Sequence, residues 1–122
     1  MTTIRLGSIS LDCDDPAPLA LFWASLLGGE VAFSSDSFVA VKLDGMWLST
    51  VKVENYVAPT WPEGDVPKQI HLDLAVDELE ASLSEAIRLG ATRATTQPAP
   101  DRFVVLLDPA GHPFCLSTQI PD

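Results

Sequence analysis

Polar and apolar residues alternate along Ser8-Ile9-Ser10-Leu11-Asp12-Cys13, which predicts an extended strand with Ser8, Ser10 and Asp12 on one face. The period then changes. Asp14-Asp15-Pro16 reads as a turn, with Asp15 placed to cap a helix whose first residue is Pro16. Over residues 16–27 the apolar positions Leu19, Phe22, Trp23, Leu26 and Leu27 recur at helical spacing, and Gly28-Gly29 ends the run. Short strands are expected near 30–34, 37–43 and 46–53, the last two joined through Asp44-Gly45. Residues 54–68, interrupted by Pro59, Pro62, Gly64 and Pro67, read as a linker.

The second half repeats this order. Residues 69–76 alternate His71, Asp73 and Ala75 against Leu72, Leu74 and Val76. A helix over 78–89 would turn Leu79, Leu83, Ala86 and Ile87 toward a sheet, with Gly90 behind it. Strands near 92–96, 102–108 and 112–119 follow, with Asp108-Pro109-Ala110-Gly111 as the turn between the last two and His112 as a turn residue. Residues 8–15 can be laid over 71–78. Leu27-Gly28 matches Leu89-Gly90, and Leu48-Ser49-Thr50 matches Leu116-Ser117-Thr118. The expected architecture is α+β: a single domain over 1–122 built of two βαβββ modules, 4–53 and 69–119. Each sheet would cover one face with its helix, and the two free faces would pair into one cup-shaped sheet. The functional site is expected where the modules meet.

Composition narrows the class. At 122 residues, 47% hydrophobic and 20% charged, the chain is long and apolar enough for a packed core without disulfides. No apolar run approaches the roughly 20 residues of a membrane span, and Met1–Ser8 lacks a signal-peptide layout, so cytoplasmic residence is expected. Seven Lys+Arg against 17 Asp+Glu, a net charge of −10, leave no basic cluster to meet a phosphate backbone; nucleic acid is not an expected partner. Cys13 and Cys115 lack the spacing of a disulfide framework or zinc knuckle. No nucleophile elbow, phosphate loop or dinucleotide fingerprint is present.

The segments LDCDDPAPLALFWASLLGGE, HLDLAVDELEASLSEAIRLGA and LLDPAGHPFCL together resemble the vicinal oxygen chelate superfamily, which includes glyoxalases, bleomycin resistance proteins and dioxygenases. With Trp61-Pro62 and the run Lys68-Gln69-Ile70-His71, the chain is similar to the small glyoxalase-like proteins common in actinobacteria. The resemblance covers nearly the whole chain. It implies the fold, and a homodimer in which apolar helix residues such as Phe22 find cover. It does not imply one activity, because the superfamily hosts lyases, isomerases, dioxygenases, transferases and binding proteins.

In the metal-dependent members the ligands come from four matching places. The resemblance carries these onto Ser8, Trp47 (or Ser49 on the same face), His71 and Cys115. One imidazole and one thiol, with no carboxylate at these places, make a poor site for a hard divalent ion. No metal cofactor is therefore expected, zinc through His71 and Cys115 being the one exception left open. His71, with Asp73 on the same face, is the candidate general base or hydrogen-bond donor; equally, it could only hydrogen-bond within its own strand. The candidate ligand-binding residues are Ser8, Asp12, Trp47, Ser49, Trp61, Phe103 and Cys115, with Trp47 as a stacking platform. The preferred reading is a metal-independent protein that binds an aromatic or carbonyl-bearing small molecule, of the resistance or sequestration type. The alternative is a lyase or isomerase of glyoxalase type using His71. A blander third reading is a module that only associates with another protein.

Overall fold

The structure is a computed structural model that describes residues 2–122. The chain separates into two compact units, one ending at Tyr56 and one spanning Val57–Asp122.

Unit 1 contains β1 (Ser8–Cys13), α1 (Pro16–Leu27), β2 (Glu30–Ser34), β3 (Phe38–Lys42) and β4 (Trp47–Lys52). Its sheet runs in the order β1-β4-β3-β2, with β1 parallel to β4 and the other pairs antiparallel. Asp15 occupies the cap position of α1 in an extended conformation, but its side chain makes no capping hydrogen bond, contrary to expectation. Pro16 has no N–H to cap, and its fixed φ starts the helix unaided. At the other end Gly28 takes φ +70°, the left-handed conformation that ends a helix cheaply only for glycine, and its N–H donates to Ala24 O.

The helix buries Leu19, Ala20, Phe22 and Trp23, the last two meeting edge to face at 5.3 Å. It packs on β3 and β4, whose Val39, Val41, Leu48 and Thr50 are sealed beneath it. The one hydroxyl in that layer, Thr50 Oγ1, donates to Pro16 O at 2.8 Å, so this buried polar group is satisfied.

Unit 2 contains β5 (Leu72–Ala75), α2 (Leu79–Leu89), β6 (Thr92–Arg93), β7 (Phe103–Leu107) and β8 (Pro113–Ser117). The order is β5-β8-β7-β6, again with the first pair parallel. Two strands are shorter than the alternation suggested. β5 begins at Leu72, leaving His71 just ahead of it. β6 has two residues, because Gln97 takes over the pairing with its side chain. Its amide donates to Ala94 O and Val105 O at 2.8 Å, and its carbonyl accepts from Val105 N at 2.9 Å. In α2 only Leu83 and Ala86 are buried; Ile87, expected on the packed face, is 46% exposed.

The β7–β8 turn is held by Asp108, whose Oδ1 accepts from the N–H of Ala110 and of His112 at 2.9 Å. His112 is a residue of this turn. Gly111 there has φ +91°, and a Cβ on it would stand 2.8 Å from Ala58 Cβ. Ala58 belongs to the proline-interrupted stretch; its residues 57–68 fold with unit 2, where Thr60 N donates to Val66 O at 2.7 Å.

The chain is thus α+β, its described residues forming two helices and two four-stranded sheets in βαβββ order twice over. Among the described residues neither sheet closes into a barrel. Among the described residues no helix is long and apolar enough to cross a membrane.

Candidate functional site

Register places the chemistry of unit 2. Asp73 on β5 lies opposite Cys115 on β8, which lies opposite Val105 on β7. Because side chains alternate along a strand, Ser117 and Phe103 share this face. Ala94, Val105 and Cys115 form a buried apolar patch there, and Trp61 and Phe103 pack against it. Trp61 is anchored at its polar end, its Nε1 donating to Thr96 O at 3.1 Å, and Lys68 Nζ stands 5.3 Å from its ring centroid.

A cavity of about 350 Å³ results, lined by Trp61, His71, Asp73, Pro98, Phe103, Cys115, Ser117 and Ile120. Its size lies in the range of small-molecule sites, and its lining has their usual form, apolar walls with a few convergent polar groups.

Those polar groups form one cluster. His71 Nε2 and Asp73 Oδ1 are 3.1 Å apart, with the two side chains 33% and 53% exposed. A carboxylate only accepts, so Nε2 donates across this contact. Cys115 is 5% exposed. Burial first, then the negative charge of Asp73 and a hydrogen bond to it, push the thiol from 9.0 up to about 11, against a smaller downward pull from Lys68. The imidazole, carboxylate and thiol donor atoms all lie within 4.8 Å of one another.

Five of the residues singled out from sequence, Trp61, His71, Asp73, Phe103 and Cys115, are therefore together in unit 2. The other four lie in unit 1 and do not line this cavity. There Ser8 pairs with Trp47 and Ser10 with Ser49, so Ser8, Asp12, Trp47 and Ser49 share the sheet face opposite α1. Trp47 is 37% exposed. Phe33 and Phe38, at 52% and 38% exposure, stack at 5.0 Å in the same unit.

Sequence reasoning missed Pro98, Ser117, Ile120 and Lys68. Ser117 was legible, two residues from Cys115 on one strand. Pro98 and Ile120 belong to irregular segments, where no period announces which way a side chain points.

The glyoxalase-like domain model matches residues 8–117. The chain belongs to the glyoxalase-like domain family. No curated protein matches it in sequence. Solved structures share its fold: the fosfomycin resistance protein FosX from Mesorhizobium loti superposes with a TM-score of 0.71 at 13% identity, covering 98% of this chain and 94% of that one. FosX from Listeria monocytogenes, a mutant complexed with Mn(II) and dihydroxypropylphosphonic acid, gives 0.72 at 17% identity over 98% and 95%. A glyoxalase/bleomycin resistance protein/dioxygenase family enzyme from Burkholderia phytofirmans gives 0.69 at 15%, covering 93% and 97%. At such identities the likeness is one of fold, the vicinal oxygen chelate fold.

A manganese-type ion does not fit the donors that this glyoxalase-like protein brings together. Such ions favour carboxylate, carbonyl and water oxygens. The cluster in unit 2 offers one carboxylate, an imidazole and a buried thiol that holds its proton.

Proposed function

We propose that this glyoxalase-like protein binds an aromatic or carbonyl-bearing small molecule in the unit 2 cavity, in the manner of a sequestering or resistance protein and without a manganese-type ion. The observation that carries this reading is the lining: Trp61 and Phe103 as apolar walls around the hydrogen-bonded His71–Asp73 pair. A planar ligand stacks on the aromatic wall, and its carbonyl or hydroxyl meets the polar group at one end. The net charge of −10 draws cationic ligands toward the protein. The test is fluorescence titration of an aromatic and dicarbonyl compound panel in the presence of a metal chelator. Quenching that saturates in the wild type and weakens in Trp61→Ala supports the reading; affinity unchanged in both Trp61→Ala and His71→Ala overturns it.

A second reading is favoured by one contact. With Nε2 donating to Asp73, the neutral form of the His71 ring has a fixed tautomer with its lone pair on Nδ1, the arrangement of a general base in a lyase or isomerase. Turnover of a 2-oxoaldehyde with a thiol, abolished in His71→Ala and not merely weakened in binding, selects this reading.

We further propose cytoplasmic residence and a homodimer. Phe22 does not support the dimer as expected, being 3% exposed within its own chain. The exposed, stacked Phe33–Phe38 pair supports it instead.

A further inference from the structure

We propose that Lys68 selects the ligand of the unit 2 cavity by charge: the small molecule that stacks on Trp61 is an aromatic carboxylate, and its carboxylate pairs with the Lys68 ammonium. This deepens the small-molecule reading of the cavity and rests on it. The backbone sets Lys68 beside Trp61. Thr60 and Pro67 form a short parallel bridge, and Thr60 N donates to Val66 O at 2.7 Å, so the residues that follow each, Trp61 and Lys68, are neighbours. The ammonium lies 5.3 Å from the ring centroid, within reach of a cation–π contact.

Charge around the cavity is unevenly matched. Asp73, the one carboxylate of the lining, is already met by the His71 Nε2 donor at 3.1 Å and by the Cys115 thiol. The ion pairs among the described residues are His71–Asp73 and Glu85–Arg88, and Lys68 belongs to neither. It is a full cation resting on a ring face, with three N–H donors to give. Its field nevertheless reaches the interior: burial and then Asp73 push the Cys115 thiol up, and Lys68 pulls it down. Ser117 supplies a second donor. Its Oγ accepts from Gln119 N at 3.0 Å, which leaves the hydroxyl hydrogen for an oxygen in the cavity.

The position of Lys68 makes ligand charge decisive. A ring that stacks on Trp61 displaces the ammonium from the ring face, which its flexible four-carbon stem permits. A neutral ligand returns nothing for the lost contact, and a cationic one adds repulsion. A carboxylate replaces it with a charge-assisted hydrogen bond, the stronger kind. The net charge of −10 opposes anions at a distance, but that field is screened beyond about 8 Å at 0.15 M ionic strength, whereas a partly buried contact pair is screened far less.

The competing account is that Lys68 only packs on Trp61. Its loss would then change the binding of charged and uncharged ligands alike. The experiment is isothermal titration in chelator near neutral pH with three probes that share one ring and differ in charge: 2-naphthoate, 2-naphthamide and 2-naphthylmethylammonium. Wild type should bind naphthoate about fivefold tighter than naphthamide, the size of a well-made exposed ion pair, and the ammonium probe weakest. Lys68→Met keeps an apolar stem over Trp61 and should erase the preference for naphthoate; Lys68→Arg should retain it. Trp61→Ala should weaken both naphthoate and naphthamide, which places them in this cavity. Naphthamide bound as tightly as naphthoate, the ammonium probe bound tightest, or a naphthoate preference that survives in Lys68→Met overturns the proposal. Where Trp61→Ala still weakens the probes, those outcomes leave the small-molecule reading standing. Naphthoate affinity unchanged in Trp61→Ala also overturns the proposal; unchanged in His71→Ala as well, it overturns the small-molecule reading with it.

Discussion

At the scale of single residues, Trp61 and Cys115 decide what the cavity does. Trp61 is held at both ends of its character, its N–H on Thr96 O and its ring against the Ala94–Val105–Cys115 patch, so the face it offers a ligand is pre-ordered. Trp61→Ala should weaken an aromatic ligand by about 1–3 kcal/mol, the cost of truncating a well-packed aromatic contact. Isothermal titration of wild type and variant checks this. Cys115 is a protonated thiol, pushed from 9.0 to about 11. Only the thiolate is a nucleophile, so in the metal-free native protein Cys115 should resist alkylation near neutral pH and react promptly once unfolded. The linkage has a definite sign. Folding raises the pKa and so favours the protonated form; that contribution is complete below pH 9.0 and is lost as pH climbs to about 11. Denaturant titrations should show stability falling across this window in wild type, and falling less in Cys115→Ser. Sequence alone pointed to His71, Asp73 and Cys115 but counted no carboxylate beside the thiol. The pairing of Asp73 with Cys115, 42 positions further along the chain, depends on the register of two strands, which periodicity within either strand cannot supply.

At the scale of elements, period and punctuation made α1 legible to the residue, since Pro16 and Gly28 fix its ends by backbone geometry alone. The edges of unit 2 were harder to read for a physical reason. A glutamine side chain substitutes for the β6 backbone, and nothing in Gln97 itself announces that. The segment 57–68 illustrates the same limit. Prolines mark it as irregular, but only tertiary contacts such as Ala58 against Gly111 show that it belongs to unit 2. Gly111→Ala should therefore destabilise the protein through two routes, the left-handed φ of +91° and the 2.8 Å approach to Ala58. A loss of about 1–3 kcal/mol is expected from the overpacking alone. In unit 1, Thr50→Val removes the buried hydrogen bond to Pro16 O, at a cost of about 0.5–1.5 kcal/mol, the net worth of one such bond. Thermal unfolding of the two variants reports both losses, and an unchanged midpoint in either would contradict the packing described for its unit.

At the scale of the whole molecule, charge and apolar surface pull association in opposite directions. Each chain carries −10, so two copies repel. Against this stands the exposed Phe33–Phe38 stack, with Leu21 on α1 a further exposed apolar residue at 60%. Large apolar side chains gathered on a surface favour a partner that removes them from water. If the partner is a second copy, the dimer should tighten as salt is added. The screening length shrinks from roughly 30 Å at 0.01 M ionic strength to about 8 Å at 0.15 M, which weakens charge repulsion and leaves apolar burial in place. Sedimentation equilibrium at micromolar concentration should accordingly show the dimer fraction rising with sodium chloride. Phe33→Asp combined with Phe38→Asp should shift the population toward monomer by adding charge where apolar area was buried. A monomeric mass at every salt concentration would remove the dimer from this account. Dissociation by salt would mean that ion pairs, and not the phenylalanine pair, hold the copies together.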